Sequence, residues 1–587
     1  MFLKVSKSGT GKSYLSFVQG YRDEFGKTKH RTLQALGYLD DLKKEFDDPI
    51  SHFKQVALEY NDTVTNELVI KNLDSKKIES ASRKNFGYLF LDAIYKELGL
   101  KETLTSLSLQ KKIKYDLNDI LKLLVYSRVL FPSSKQETYH NKNKFFENFD
   151  FSLKDVYRSL DVFASCKEIL EEALWLNTKE SYQRDTSTVF YDCTNYYFEI
   201  SLNDEDLLDE EGNILEKGYR KKGPSKENRK DPIIQMGLLM DKNGIPLSYD
   251  LFPGNESEKT SLRPILKRTK NSFGLGRVIS VADRGINTSD NTVYLAGKND
   301  SDTHSDGYVF GQSILGADKE FKAFVFDQAD YQYDQEIDKD GTEFTFKHKS
   351  RIFAKEVTMT RDGKRKNKFT VYQKQMVYYS DKYAQRQRKE REVVVSKAKD
   401  LIKNPGKYTR ATSYGAAKYI QNMKYAKDTG EIANASELII DFDKIQEEAK
   451  FDGYYSIVSS ELSISDKELR DIYKGLWEIE ETFKITKSNL EARPVFVWTK
   501  EHIEAHFLTC FIALVIIRLL EKKLDCSYSV ESIIKALRNC NCSNIEHNVY
   551  LFDYISEPLE HLGTLYNIDM TKKYRDLSEI KKSFKNS

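Results

Sequence analysis

Cysteine, proline and tryptophan are scarce, with six, ten and three residues in a chain of 587. The cysteines (Cys166, Cys193, Cys510, Cys526, Cys540 and Cys542) are scattered, and the one close pair, Cys540 and Cys542, lacks the gap of a zinc knuckle. A disulfide scaffold is therefore excluded, and free thiols in a reducing cytoplasm are expected. A surplus of charge is missing too, since 92 basic residues face 90 acidic ones and leave a net charge of +2. Any affinity for a polyanion must then be local. Met1 to Tyr14 has no apolar core of the ~7 to 15 residues that an export signal needs. Phe507 to Leu520 falls short of the ~20 residues that cross a bilayer and contains Arg518, so a buried helix is expected there and no membrane span.

Apolar residues make up 40%, aromatics 12% and charged residues 31%, with a mean hydropathy of −0.60, a composition that builds cores in water. Single cores stop growing at roughly 250 to 300 residues, so several domains are expected. Residues 1–74 open with short apolar/polar alternation (Leu3, Val5, then Leu15, Phe17) around Gly9, Gly11 and Gly26, which predicts hairpins. Residues 75–185 carry helical periodicity, as in Leu91, Ile94, Tyr95, Leu98 and in Leu117, Ile120, Leu121, Leu124, and predict a helical domain.

Residues 186–304 change to β-rich runs at Val189–Asp192, Tyr196–Ser201, Ile233–Met240, Ile245–Phe252 and Val278–Asp283. The third and fourth are joined by Asp241-Lys-Asn-Gly244, whose Asn-Gly favours a hairpin turn. A helix near Lys259 to Thr269 precedes the last strand, so the block reads β-β-β-β-α-β. Residues 305–460 add strands at Tyr308–Ile314, Lys322–Phe326, Phe369–Tyr379 and Gly453–Val458, with a helix near Arg386 to Lys403, and predict a β-rich insertion. Helices return over 461–525, and 526–587 reads as a small helical tail. The class is α/β.

Asp192 closes the apolar run Val189-Phe-Tyr191, and Asp283 closes Val278-Ile-Ser-Val-Ala282. A carboxylate at the end of a buried strand needs a partner or a metal, although an aspartate there also serves as a turn residue or helix cap. Two strands that bring aspartates to one sheet edge build a divalent-metal site. In a helix expected from Asp466 to about Asn489, Tyr473, Glu480 and Lys487 recur every seven residues and share one face with Trp477 and Lys484. A solvated heptad face has the same spacing. Two stretches are locally basic: residues 361–391 hold eleven Lys or Arg against three acids, and Lys217–Lys230 holds seven against one. With Tyr372, Tyr378, Tyr379 and Tyr383 interleaved, the first has the composition of a backbone-tracking surface.

Other motifs fail on inspection. Gly9-Thr-Gly-Lys-Ser13 ends like a phosphate-binding P-loop, but Ser6 holds the first glycine position and no strand and long helix flank it. His502 and His506 have zinc-protease spacing, yet Ile503 stands where glutamate is needed.

The segment Tyr473-Lys-Gly-Leu-Trp-Glu-Ile-Glu480-Glu-Thr-Phe-Lys-Ile-Thr-Lys487 resembles the Y-x2-R-x3-E-x6-K signature of transposases of the insertion-sequence-four superfamily, departing where Leu476 stands for the arginine. Leu490-Glu-Ala-Arg-Pro-Val-Phe-Val-Trp498 with Ile503-Glu-Ala-His506, Phe252-Pro-Gly-Asn255, the D-x-T at Asp192 and Ala282-Asp-Arg-Gly285 extend the resemblance over most of the chain. It implies a ribonuclease-H-like core split by the insertion, with the N-terminal hairpin and helical region reading element ends. It also implies that Asp192, Asp283 and Glu480, separated by 91 and 197 residues, form a catalytic DDE triad holding two Mg²⁺ or Mn²⁺ ions. Tyr473, Lys484, Lys487, Arg284 and Arg493 would contact DNA. The implied activity is cleavage at the ends of an insertion sequence and strand transfer into double-stranded target DNA, by a homodimer in a synaptic complex in the cytoplasm. A nuclease without strand transfer and a catalytically silent DNA-binding protein are the alternatives, with a nucleotide-driven motor more distant.

Overall fold

The structure, a computed structural model, describes residues 1–7, 11–22, 28–63, 83–226, 230–297, 305–337, 341, 343–361, 365–404, 406, 415–421, 438–546 and 548–586. Parts of the P-loop-like segment, of both basic runs, of the expected insertion and the start of the helical region at 75–82 lie outside these residues. The chain forms two compact units, one of residues 1–93, 140–148 and 532–587, the other of 94–139 and 149–531.

The first unit opens with the expected hairpins, as Phe2–Lys7, Ser13–Arg22 and Thr28–Tyr38 pair antiparallel in sequence order. Its second sheet runs Tyr574–Asp576, Val549–Phe552, Asn541–Glu546, Arg83–Asn85. The tail is therefore not all-helical, as its sequence suggested. Polar residues such as Asn541, Ser543 and Asn544 hide these strands from a period-2 reading; they pair with one another within the tail, and Asn541–Glu546 also pairs with Arg83–Asn85, more than 450 residues away. Aromatic rings fill the space behind: Tyr88 meets Phe145 at 5.0 Å and Phe584 at 4.6 Å, and Phe86 meets Phe552 at 5.2 Å.

The second unit is built on a nine-stranded mixed sheet in the order Gln332–Ile337, Glu343–Arg361, Arg365–Ser380, Tyr454–Ser459, Gly307–Gln312, Ile279–Ala282, Thr188–Tyr197, Ile233–Asp241, Pro246–Pro253. Thr188–Tyr197, Ile279–Ala282 and Gly307–Gln312 are parallel neighbours, and every other pairing is antiparallel. The Asn-Gly turn forms as read, with Gly244 at φ +78°. Three expectations change. Val189–Asp192 and Tyr196–Ser201 are not two strands, because Thr188–Tyr197 runs unbroken through Asp192. Lys322–Phe326 is part of a helix, Lys319–Phe326, whose N-cap Asp318 accepts from the Phe321 amide at 2.8 Å. Five strands of residues 305–460 continue the main sheet, where another strand satisfies the backbone groups of a free edge, while Ile420–Gln421 and Ile439–Ile440 pair separately over a small core of their own.

Helices cover both faces. Leu117–Leu130 starts at Asp116, which accepts from the Asp119 amide, and Leu153–Ser165 starts at a capping box of Ser152 and Asp155. Both pack on Lys500–Lys523, so this part of the helical region shares the sheet's core. Lys500–Lys523 is long and apolar enough to cross a membrane, but 94% of its apolar window is buried inside the protein. Each fully buried Leu, Ile or Phe there contributes about 1.5–3 kcal/mol. Arg518, within it, donates to Thr482 Oγ1 at 2.7 Å and to Glu521 at 2.8 Å.

Below the sheet, the fully buried pair Arg184–Asp241 (2.6 Å) ties the helix Lys167–Thr178 to the Asn-Gly turn. Arg184 also donates to Thr178 Oγ1 and to the carbonyls of Ile245 and Pro246, while Asp241 accepts from the amides of Asn243 and Ile245. Removing one partner strands the other charge in the core. Arg184→Ala is expected to destabilise this unit by about 3–5 kcal/mol in urea unfolding, whereas an exposed pair such as Arg386–Glu390 is worth under ~1 kcal/mol.

Candidate active site

Register decides where the acids meet. Tyr191 pairs with Ala282 across the parallel ladder, so the next residues, Asp192 and Asp283, are neighbours on adjacent strands. Tyr191, Cys193 and Ala282 turn into the apolar core, and alternation sends Asp192 to the opposite face. The strand of Asp283 ends there while that of Asp192 continues, so Asp283 is exposed and Asp192 partly buried.

Asp192 carries the stronger electrostatic signature. Burial pushes its carboxyl up to about 7, with Asp283 and Glu258 adding to the rise and Lys226 and the Cys193 amide (2.7 Å) opposing it. Neither Lys226 nor Glu258 was singled out in the sequence. Lys226 lies in the basic run 217–230 and donates to the Cys193 carbonyl at 2.5 Å, while Asn195 holds its loop through the Pro224 carbonyl at 3.1 Å. Glu258 sits on a turn pinned to the strand: the Tyr191 hydroxyl donates to Ser261 Oγ at 2.6 Å, and Ser261 donates to the Glu258 carbonyl at 2.6 Å. Lys226 also pairs with Glu258 at 3.5 Å. Desolvation pulls the Lys226 ammonium down, but Asp192 and Glu258 outweigh it and leave its pKa raised.

The face of Asp192 is covered by the stretch that carries Glu480. It is not one regular helix, for Asp466–Lys474 and Trp477–Lys484 are separated at Gly475 and Leu476, and Ile485–Asn489 is π-helical. The break falls at a close approach to the sheet, since a Cβ on Gly475 would lie 2.5 Å from the Phe190 ring. The N-terminus is clamped by strands from the sheet extension, where His348 Nδ1 lies 2.9 Å and Lys374 2.6 Å from the Asp466 carboxylate. Burial works against ionising Asp466, but these partners and Ser350 hold it well below the usual carboxylate range.

Along this stretch the heptad residues differ in environment. Tyr473 is buried, its hydroxyl 2.6 Å from that of Tyr455, and Asp283 is among the charges that act on it. A Cβ on Gly311 would lie 2.6 Å from that hydroxyl and 3.0 Å from the Arg284 amide, so Tyr473 stands over the loop of Asp283. Lys487 lies at the Asp192 end, its ammonium 5.5 Å from the Tyr196 ring; burial and then Lys226 lower its pKa to about 8. Glu480, seven residues from each, is exposed, as are Trp477 and Lys484. Arg284 is exposed next to Asp283, and Arg493 is half-buried over the Tyr197 ring at 5.7 Å. Leu476 is buried, so the position where the signature carries arginine points into the core here. His506 is buried and lies 3.0 Å from the Ala492 carbonyl, in a packing role.

Among the described residues, no three His, Cys, Asp or Glu side chains are gathered closely enough to hold a metal ion. The oxygen donors of Asp192 and Asp283 suit a hard divalent cation, and the desolvated Asp192 is a group that such a charge would relieve. Glu480 is exposed and is not gathered with them.

Asp192 gives up its proton more readily in the unfolded chain, at its ordinary value of 3.8, than in the fold, at about 7. Stability is therefore lost as pH rises through that interval, and the loss is complete above it. Asp192→Asn is expected to raise the thermal midpoint of the metal-free protein at about pH 8 and to lose that advantage near pH 4, read from melts across pH.

Two family models match the chain. A model of the transposase DDE domain matches residues 209–516, a span that contains Asp283 and Glu480 and begins after Asp192, and a model of the IS1634 family transposase N-terminal domain matches residues 3–67. No curated protein matches the sequence. Among solved structures, a cryo-electron-microscopy structure of the piggyBac transposase synaptic complex with hairpin DNA aligns over 77% of this chain and 78% of that one, with 10% identity and a TM-score of 0.31, below the level at which a shared fold follows. With more than half of its length matched by the catalytic-domain model and its first strands by the N-terminal one, the chain belongs to the DDE transposases of insertion sequences, enzymes that cut DNA and transfer its strands.

Proposed function

We propose that Asp192, Asp283 and Glu480 are the acidic triad of this transposase, set on a ribonuclease-H-like core that cleaves the ends of its element and joins them to target DNA. The adjacent register of Asp192 and Asp283 is the observation that carries this reading. A meander of three antiparallel strands, then a helix and parallel strands, is how a ribonuclease-H-like sheet begins, and the run from Thr188 to Gln312 has that order.

The three carboxylates would hold two divalent cations, Mg²⁺ or Mn²⁺, which supply an activated oxygen nucleophile and stabilise the leaving oxygen. Asp192 and Asp283 offer fixed oxygens because neighbouring strands hold their backbones. Glu480 would complete the set from the helix Trp477–Lys484, which Arg518 holds through Thr482 and which follows the helix clamped at Asp466. Lys226 and Lys487 crowd positive charge against Asp192, and Arg284 adds a cation beside Asp283. Such groups position phosphates without reading bases. Tyr473 fixes the loop of Asp283, and Lys484 and Arg493 lie on the approach to DNA. Two element ends require two such sites, so a homodimer on double-stranded DNA is expected.

A second reading concerns the third acid. Glu258 is among the acids that raise the Asp192 carboxyl, and it pairs with Lys226, which opposes that rise, at 3.5 Å.

The experiment is Mg²⁺-dependent cutting and joining of DNA bearing the flanking element ends, by wild type beside Asp192→Ala, Asp283→Ala, Glu480→Gln and Glu258→Gln. The first three variants are expected to bind DNA but cut at least ~100-fold more slowly, the scale on which loss of charge stabilisation acts. Full activity of Glu480→Gln with an inactive Glu258→Gln would move the third acid to Glu258. Binding and cutting without joining would mark a nuclease.

A further inference from the structure

Three carboxylates around a phosphodiester repel it, and the described cations nearest them are unevenly placed. Lys226 and Lys487 stand at the Asp192 end and Arg284 beside Asp283, whereas Glu480 is exposed and lies in sequence midway between Tyr473, near the Asp283 loop, and Lys487, near Asp192. The stretch that carries Glu480 brings no arginine to it. Its one arginine, Arg470, is buried over the Phe346 ring at 3.9 Å, and Leu476 is apolar and buried.

A guanidinium comes from another element. The helix Asp381–Lys403 begins where the strand Arg365–Ser380 ends, and its first turn is fixed against the site through a cluster of tyrosines. The Tyr383 ring meets that of Tyr455 edge-on at 5.8 Å, Tyr378 meets Tyr455 at 5.2 Å, and the Tyr455 hydroxyl reaches Tyr473 at 2.6 Å. Tyr383 is also within electrostatic reach of Arg284. One turn further along, Arg386 is within electrostatic reach of Glu480. Its side chain is 74% exposed, and its ion pair is with Glu390 on its own helix at 2.8 Å. An exposed pair of that kind is readily exchanged for a stronger anion.

We propose that Arg386, supplied by the segment between the second and third acids, is the phosphate-binding arginine of this active site. Its guanidinium takes the non-bridging oxygens of the phosphodiester next to Glu480, leaving Glu390 to water. The planar fork offers two parallel N–H donors to two phosphate oxygens, which a lysine ammonium does not. The sheet extension thereby contributes a substrate contact as well as a clamp. The inference rests on the proposed triad, because Glu480 defines where the phosphate lies.

The test is single-turnover cutting of DNA bearing the element ends, at saturating DNA with Mg²⁺, for Arg386→Ala, Arg386→Lys, Lys397→Ala and Glu480→Gln. Lys397 is an exposed cation three turns along the same helix and outside the site. Arg386→Ala is expected to cut about 100-fold more slowly while binding DNA within about tenfold of wild type, with Arg386→Lys between the two and Lys397→Ala within about threefold of wild type. The position is exposed, so thermal midpoints should be unchanged. Wild-type cutting by Arg386→Ala, or an equal loss in Lys397→Ala, overturns the role of Arg386. Wild-type cutting by Glu480→Gln overturns the triad instead, so the two failures are distinguishable.

Discussion

Because Ala282 pairs with Tyr191 across a parallel ladder, the residue that follows in each strand is an aspartate, and two carboxylates are driven to one place on the sheet. Adjacent strands lie about 4.8 Å apart, so the ladder that ends at Ala282 starts the Asp283 loop beside Asp192. That constraint sets the rest of the site. The Glu480 stretch crosses this face, Gly475 lets it approach Phe190, and Tyr473 and Lys487 come to rest at the two ends of the aspartate pair.

A pair of acids held together is costly unless cations stand by. Lys226 answers Asp192 directly, and the loop that carries it is fastened to the same strand through Cys193 and Asn195. The answer is incomplete, for Asp192 stays well above its ordinary range. Glu258 adds to the strain rather than relieving it. Burial raises the Asp241 carboxyl as well, although a guanidinium and two backbone amides face it there, so desolvation is the dominant influence on both acids.

The strands that follow Asp283 tie the site to the far side of the sheet. His348 and Lys374 come from two long strands and meet Asp466 at the head of the Glu480 stretch. Tyr378 and Tyr383 come from the end of one of those strands and the helix after it, and meet Tyr455 near Tyr473. Most strands of the long segment between Asp283 and the Glu480 stretch are thus continuous with the main sheet.

Local patterns carried much of this in the sequence. Alternation around Gly11 marked the N-terminal strands, Asn243-Gly244 marked a hairpin, and apolar runs ending at Asp192 and Asp283 marked the strands that bear them. Motif spacing marked the family. Other features were not legible: the strands of the tail, the helix at Lys319–Phe326, the break at Gly475, and the joining of most strands of residues 305–460 to the main sheet. Lys226, Glu258 and Arg386 carried no signal that set them apart from other charged residues. Periodicity and turn chemistry are properties of a few consecutive residues, so the sequence by itself determined the N-terminal hairpins, the Asn243-Gly244 turn and the apolar strands that carry Asp192 and lead to Asp283. Register, burial and the field of distant charges depend on which segments fold together. Only the tertiary structure decided that Asp192 stands beside Asp283, that its carboxyl is desolvated, and which cations answer it.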